Sequence, residues 1–164
     1  MPSMKILLIA GGWSSEREVS LTGARGMQEA LVRRGHAVTF FDLLEHFDDL
    51  LETARQHDFA LINLHGSPGE DGLVQAMLEK ADCPYQGSGP SGSFLALNKA
   101  AAKQIFRMAG LPTADWEFLP VRPAAGWEPR LPWPLFVKST TGGSSLRLGR
   151  AANRQELDAI MDEI

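Results

Sequence analysis

The sequence predicts an α/β fold whose first half is a Rossmann-like parallel sheet. Three short apolar runs, at residues 6–10, 37–41 and 59–64, alternate with longer segments of helical spacing. The first run is apolar throughout, which is typical of a strand covered on both faces. Strands that alternate with helices in this order are joined by right-handed crossovers, so the three strands are predicted to be parallel.

The segments between these runs have the spacing of amphipathic helices. Apolar residues recur every three or four positions over residues 21–31, 47–54 and 74–81, which predicts one helix after each strand. Gly35 follows the first of these segments, at the position where a glycine commonly ends a helix.

A proline- and glycine-rich stretch at residues 84–90 interrupts this alternation. It predicts a boundary between two domains, residues 1–90 and residues 91–164. The second domain is predicted to contain a helix over residues 102–109, which Gly110 ends.

Two further strands are predicted at residues 116–119 and 135–138, joined by an irregular connection with five prolines. Asn153 and Glu156 have the spacing of a capping box, so a final helix is predicted to begin there. Its helical pattern is still running at Ile164.

The composition excludes several classes of function. The chain has 164 residues and a net charge of −4, so it lacks the basic stripe that non-specific nucleic-acid binding needs. No segment reaches the roughly 18 apolar residues of a membrane span, and the first apolar run is too short for a signal sequence. The single cysteine, Cys83, has no partner for an internal disulfide. We expect a soluble cytoplasmic protein that binds neither nucleic acid nor membrane.

The most informative polar stretch is His65-Gly-Ser-Pro-Gly-Glu-Asp-Gly72, between the third predicted strand and its helix. Ligands bind at the carboxyl ends of strands in open α/β sheets, because loops and helix N-termini converge there. A turn held by Asp71 and the glycines is the alternative interpretation.

The loop after the first strand carries a second polar cluster, which includes Glu16. Helix capping by Ser15 and one glutamate is the simpler explanation of this cluster. The loop does not match G-x-G-x-x-G, so a dinucleotide site or another nucleotide-dependent Rossmann protein is disfavoured.

Two basic clusters indicate an anionic ligand. Lys99 stands at the head of a helix, where a cation opposes the helix dipole unless an anion is present. Lys138 ends a predicted strand and precedes a Thr/Gly/Ser loop at residues 139–145, whose hydroxyl and N–H groups suit phosphate. A solvated helix face and a flexible surface loop are the corresponding alternatives.

Taken together, these clusters resemble the D-alanine–D-alanine ligases, a family of the ATP-grasp superfamily. The resemblance covers essentially the whole chain. Its matching stretches are residues 11–21, 65–72, 84–89, 98–99, 110–113 and 137–145. It implies a Rossmann-like pre-ATP-grasp domain followed by the start of an α+β ATP-grasp central subdomain, cut short.

The resemblance also implies roles for individual residues on the amino-acid side of the reaction. Glu16 corresponds to the carboxylate that holds the ammonium group of the first D-alanine. Val19 lines the same pocket, and His65 lies beside the substrate carboxylate. Ser144 corresponds to a serine that helps to orient the first substrate, so Glu16 and Ser144 are the candidate catalytic residues.

On the nucleotide side, the resemblance implies that Lys99 and Lys138 contact the phosphates of ATP, together with Ser144 and Ser145 in a closing lid. The implied reaction joins two D-alanines through an acyl phosphate, with ATP and Mg²⁺, for peptidoglycan precursor synthesis. The family's magnesium ligands and second-substrate residues follow the region that this chain covers. The resemblance further implies a homodimer formed through the N-terminal domain.

Two positions depart from the family pattern. Ser139 stands where the family has proline after the lysine, and Arg147 stands where it has glycine. These departures affect the geometry of the lid loop, and two alternatives to the ligase remain open. One is an ATP-grasp amidoligase with a different substrate, and the other is a non-catalytic amino-acid-binding or regulatory half-ligase.

The 164 residues alone are expected not to catalyse ligation, because the implied metal ligands are not among them. The purified chain should therefore release no ADP above background when it is incubated with ATP, magnesium and D-alanine. Release of ADP that depends on D-alanine would refute this expectation.

Overall fold

The computed structural model describes residues 2–124, 126–142 and 148–164. The chain divides into two compact units, Met1–Leu95 and Ala96–Ile164, which are called the first and second unit below. This division lies a few residues beyond residue 90, and the predicted domain boundary there stays a prediction.

The first unit is built on a parallel three-stranded sheet, as predicted. Its strands are β1 (Lys5–Ala10), β2 (Ala37–Asp42) and β3 (Phe59–Ile62), in the order β2-β1-β3. Ala60 also forms an isolated parallel bridge with Tyr85, so the chain continues the sheet beyond β3. The central position of β1 explains why its residues 6–10 are all apolar.

Helices cover both faces of this sheet. Helix α1 (Arg17–Arg33) packs on one face, where Leu8, Ala10 and Ala24 are completely buried. Leu7 and Ile9 point to the opposite face, because successive side chains of a strand alternate. That second face packs against the later helices of the unit. The predicted Rossmann-like arrangement is thus confirmed for this unit.

The single helix predicted over residues 47–54 is wrong. The chain instead forms α2 (Leu43–His46), a 3₁₀ turn (Phe47–Asp49) and α3 (Leu50–Ala54). Asp42 starts α2 early, because its side chain accepts a hydrogen bond from the Leu44 N–H at 3.1 Å. The predicted inner face is nevertheless used, since both end residues of α3 are fully buried.

Helix α4 (Leu73–Lys80) matches the prediction, but α5 (Pro90–Leu97) follows where no helix was predicted. The apolar residues of α5 are spread around the helix, so periodicity carried no signal for it. Proline at the first helical position was the signal available in the sequence.

The second unit contains α6 (Lys99–Met108), the antiparallel strands β4 (Leu135–Lys138) and β5 (Leu148–Ala151), and α7 (Arg154–Glu163). Helix α7 packs on this pair of strands: Leu157 is buried, and Ile160 leaves no room for a side chain at Gly149.

The predicted cap of the last helix is confirmed, with a small difference from a standard capping box. The Asn153 side chain accepts a hydrogen bond from the Glu156 N–H at 3.0 Å. The Glu156 carboxylate accepts from the Ala152 N–H at 2.8 Å, one residue before the position expected.

One prediction for the second unit is wrong, since residues 116–119 form no strand. Side chains hold this segment instead: the Glu117 carboxylate accepts hydrogen bonds from the Arg130 and Leu131 N–H groups, and Trp116 lies under Lys103 and Arg107. The helix predicted over residues 102–109 is confirmed by α6, although every residue of α6 is at least partly exposed.

Within the part of the chain that the structure describes, no helix is both long and apolar enough to cross a membrane.

Core packing in the first unit can be tested on one helix. Leu78 is completely buried, whereas Leu73 on the same helix is 41% exposed. We expect Leu78→Ala to lower the free energy of unfolding by about 2–5 kcal/mol, because it leaves a cavity in the core. Leu73→Ala is the control and should change it by less than about 1 kcal/mol. Urea titration followed by circular dichroism measures both, and equal effects would contradict the assigned packing.

Candidate ligand-binding site

Two polar segments meet at the carboxyl edge of the parallel sheet. Residues 11–16 follow β1, and residues 63–72 follow β3. The surroundings of Gly12 and Gly66 show how closely the two segments approach each other. A side chain at Gly12 would lie 3.3 Å from the Leu64 side chain, and one at Gly66 would lie 3.8 Å from the Glu16 carboxylate. Both glycines have positive φ angles, 77° and 64°, which residues with side chains rarely adopt.

Glu16 stands immediately before α1, and its side chain makes no capping hydrogen bond. The Ser14 hydroxyl accepts from the Glu16 N–H at 3.2 Å instead. The capping interpretation therefore does not account for the Glu16 carboxylate, which is half-buried beside Gly66. Val19 lies in the first turn of α1 and is 62% exposed.

The acidic side chains of the second segment hold the segment itself. Asp71 accepts from the Ser67 hydroxyl at 2.5 Å and from the Leu73 N–H at 3.0 Å, so the alternative interpretation, a turn held by Asp71, is confirmed for this side chain. Glu70 accepts from the Gly66 N–H at 2.9 Å. His65 is the remaining ionisable group of the segment, and it is half-buried.

Gln75 also holds this segment, a role that the sequence analysis missed. Its side-chain NH₂ group donates to the Gly69 carbonyl at 2.6 Å, and the side chain is 5% exposed. Its other polar atom, Oε1, is buried without a hydrogen-bond partner among the described residues. A glutamine within the apolar-periodic segment of α4 was the available signal, because buried polar side chains normally serve a partner.

An ion pair fixes the first segment to the neighbouring strand. Arg17 donates two parallel hydrogen bonds to Asp42, at 2.7 and 2.6 Å, and a further one to the Gly12 carbonyl at 3.3 Å. Gly11 lies directly against this pair, where a side chain would come within 2.6 Å of the Asp42 carboxylate. Arg17 thus connects the loop after β1 to the end of β2. No local pattern in the sequence predicts this connection.

The ion pair changes the titration of both of its groups. The hydrogen bond from Arg17 holds the pKa of Asp42 below its usual range, despite the opposing effect of burial. The same hydrogen bond raises the pKa of Arg17.

The second unit brings together the two lysines that were predicted to contact phosphate. Lys99 is the first residue of α6, after the cap that Asn98 forms with the Ala101 N–H at 3.0 Å. The Lys99 ammonium donates to the Gly142 carbonyl at 2.5 Å. Burial lowers the pKa of Lys99, and the positive charge of Lys138 lowers it further. Two ammonium groups that repel each other are a favourable place for a polyanion.

Three of the residues singled out in the sequence lie outside the described residues: Ser144, Ser145 and Arg147. Ser139 is described, and its hydroxyl accepts from the Gly142 N–H at 3.2 Å, so it closes the turn that follows β4. Within residues 2–124, 126–142 and 148–164, no cluster of three or more His, Cys, Asp or Glu side chains has the arrangement of a metal site.

The two groups of side chains have complementary chemistry. The first unit carries a carboxylate close to the segment that contains an imidazole, and such groups suit the two charges of a small zwitterion. The second unit carries two ammonium groups, which suit phosphate.

Known proteins are similar to this chain along nearly its whole length. No family model matches the chain. The D-alanine–D-alanine ligase of Desulfovibrio desulfuricans is 76% identical over 161 residues, which are 98% of this chain and 53% of that protein. The ligase of the same name from Nitratidesulfovibrio vulgaris is 64% identical, with the same coverage.

Solved structures give the same result. A crystal structure of D-alanine–D-alanine ligase from Bacillus anthracis complexed with ATP has a TM-score of 0.83 and 34% sequence identity. The match covers 98% of this chain and 54% of that one.

The fold is thus that of the first part of an ATP-grasp ligase, and the α/β prediction is confirmed. Within this class, the chain is homologous along nearly its whole length to the D-alanine–D-alanine ligases. It spans about half the length of these relatives.

The Arg17–Asp42 ion pair predicts a specific pH dependence of stability. Because the pKa of Asp42 is lowered in the folded protein, the stabilisation is complete above the ordinary aspartate pKa of about 3.9 and disappears as the pH falls through the lowered value. Asp42→Asn should therefore be less stable than the unmodified protein at neutral pH. The difference should shrink below about pH 4.

Urea unfolding at a series of pH values measures this difference. Asp48→Asn is the control, because it removes an exposed carboxylate from the 3₁₀ turn. A constant difference between Asp42→Asn and the unmodified protein down to pH 2 would contradict the role of the ion pair.

Proposed function

We propose that this chain forms the first-substrate pocket and part of the ATP site of a D-alanine–D-alanine ligase. The observation that carries the proposal is the approach of Glu16 to the His65 segment at the carboxyl edge of the sheet. The 76% identity to a protein of that name supports the choice of substrate.

In the proposed pocket, the Glu16 carboxylate pairs with the ammonium group of the first D-alanine. Glu16 suits this role because its side chain is not used as a helix cap. His65 lies beside the substrate carboxylate, where the imidazole can donate a hydrogen bond. Val19 provides an exposed apolar surface on the first turn of α1 for the substrate methyl group.

Lys99 and Lys138 bind the phosphates of ATP in this proposal. Burial lowers the pKa of Lys99 and the charge of Lys138 lowers it further, and a polyphosphate would oppose both effects by neutralising the two charges. Ser144 and Ser145 are proposed to orient the substrate and to cover the phosphates.

The proposed reaction has two steps. An oxygen of the D-alanine carboxylate attacks the γ-phosphorus of ATP, the bond from phosphorus to the β,γ-bridging oxygen breaks, and ADP leaves. The amine of a second D-alanine then attacks the acyl carbon, so that a C–N bond forms, inorganic phosphate leaves and the amine gives up a proton. Positive charge near the γ-phosphate stabilises the charge that develops there.

We further propose that the complete protein acts in the cytoplasm, where ATP is available, as a homodimer formed through the first unit. Leu73, Phe94 and Leu95 in that unit are 41%, 56% and 36% exposed, and exposed apolar side chains of this size favour association with a second copy.

Substitution of Glu16 and of Lys99 separates the two proposed pockets. In the complete natural polypeptide, Glu16→Gln should raise the KM for D-alanine about 10- to 100-fold, because a charge-assisted hydrogen bond is lost. Lys99→Ala should raise the KM for ATP by a similar factor. Phosphate release at varied substrate concentrations measures both constants.

Two exposed residues provide controls: Glu18→Gln in the first turn of α1, and Lys80→Ala at the end of α4. Both should leave both constants within about twofold, since surface changes have small effects. Binding of D-alanine without turnover would favour the non-catalytic half-ligase. Turnover with another amino acid in preference to D-alanine would favour the amidoligase with a different substrate.

A further inference from the structure

A buried pair of polar side chains joins the two segments of the candidate pocket. Ser20 is completely buried and Asn63 is 9% exposed. The Ser20 hydroxyl donates to the Asn63 carbonyl, and the Asn63 side-chain amide donates to the Ser20 carbonyl at 2.7 Å. Each side chain thus binds the backbone of the other residue.

The pair lies close in sequence to the proposed substrate contacts on both segments. Ser20 follows Val19 directly in the first turn of α1, and Asn63 precedes His65 by two residues. The Ser20 hydroxyl also accepts from the Gly11 N–H at 2.8 Å. The Asn63 N–H donates to the Ile9 carbonyl at 2.8 Å. The hydrogen bonds therefore connect α1, the end of β1 and the end of β3.

A glycine in helix α1 leaves room for the side-chain amide of Asn63. Gly23 lies within α1, and a side chain there would approach the Asn63 amide nitrogen to 3.1 Å. This is closer than carbon and nitrogen atoms in ordinary van der Waals contact. Gly26 lies on the same helix, and a side chain there would meet no atom within 4 Å.

Packing alone does not require polar groups at these positions. Apolar side chains of similar size fill a buried site without any need for hydrogen-bond partners, and such replacements are often neutral. What the reciprocal hydrogen bonds add is a fixed distance between two backbone segments. Glu16 and Val19 lie on one of these segments and His65 on the other.

We propose that Ser20 and Asn63 are positioning residues, which set the separation between the Glu16–Val19 contacts and His65 and so determine the affinity for the first amino-acid substrate. The identity of the substrate in this inference rests on the proposed function. The coupling of the two segments by Ser20 and Asn63 can be tested without that function.

The first experiment is a double-mutant cycle in the complete natural polypeptide, with Ser20→Ala, Asn63→Ala and the double variant. Each single variant should raise the KM for D-alanine about tenfold, which corresponds to one buried hydrogen bond. The KM for ATP should stay within twofold. The double variant should raise the KM for D-alanine further than either single variant, because each single change leaves the other hydrogen bond between the two segments in place. An unchanged KM for D-alanine in the double variant, or equal changes in both KM values, would overturn the proposal.

The second experiment removes no hydrogen-bonding group. Gly23→Ala places a methyl group too close to the Asn63 side-chain amide, whereas Gly26→Ala places the same methyl group in open space on the same helix. Both changes replace glycine by alanine within a helix, so they raise the intrinsic helix propensity by the same amount. We expect Gly23→Ala to raise the KM for D-alanine several-fold and Gly26→Ala to leave it unchanged. Equal KM values for the two variants would count against the positioning role, even if the alanine variants of the pair fail to fold.

Amide hydrogen exchange provides a measurement that does not depend on activity. Asn63→Ala should accelerate exchange in residues 11–20 as well as in residues 63–72, and Gly26→Ala should accelerate neither. Acceleration confined to residues 63–72 would overturn the proposal. If the unmodified protein shows no turnover with D-alanine, the proposed function fails, and the exchange result alone decides whether the pair couples the two segments.

Discussion

The structure of the first unit depends on one constraint: β1 must be covered on both faces and paired on both edges. Its residues Ile6 to Ala10 are all at most 5% exposed, and neighbouring strands lie on either side of it. Burial of a strand in this way requires helices on both faces, since each face must exclude water. The carboxyl ends of β1 and β3 consequently lie side by side, and the loops that follow them meet.

The polar residues where these loops meet serve two different purposes. Most of them hold the backbone: Asp71 and Glu70 bind N–H or hydroxyl groups of their own segment, and Arg17 ties the exit of β1 to Asp42. A rigid frame of this kind places side chains accurately, because it removes the loop freedom that binding would otherwise have to restrict. Glu16 and His65 stand within this frame as the groups proposed to contact a ligand.

The second unit buries fewer apolar side chains than the first. Ala151 and Leu157 are its buried apolar residues among those described, and α6 has none. Lys99 and Lys138 both lie in this unit, where burial lowers the pKa of Lys99 and the charge of Lys138 lowers it further. A pair of like charges is expected where an anion of opposite charge is to be bound.

The sequence by itself determined the parallel strands of the first unit, most of the helices that cover them and the identity of the polar segments. These features depend on local periodicity and on motifs that are contiguous in the chain. It did not determine the break of the helix at residues 43–54, the missing strand at residues 116–119 or the roles of Ser20, Asn63, Arg17 and Gln75. Only the tertiary structure decided these, because most of them depend on contacts between residues that are distant in sequence, which local patterns do not encode. The early start of α2 depends instead on the side-chain cap that Asp42 forms with the Leu44 N–H, which apolar periodicity does not show.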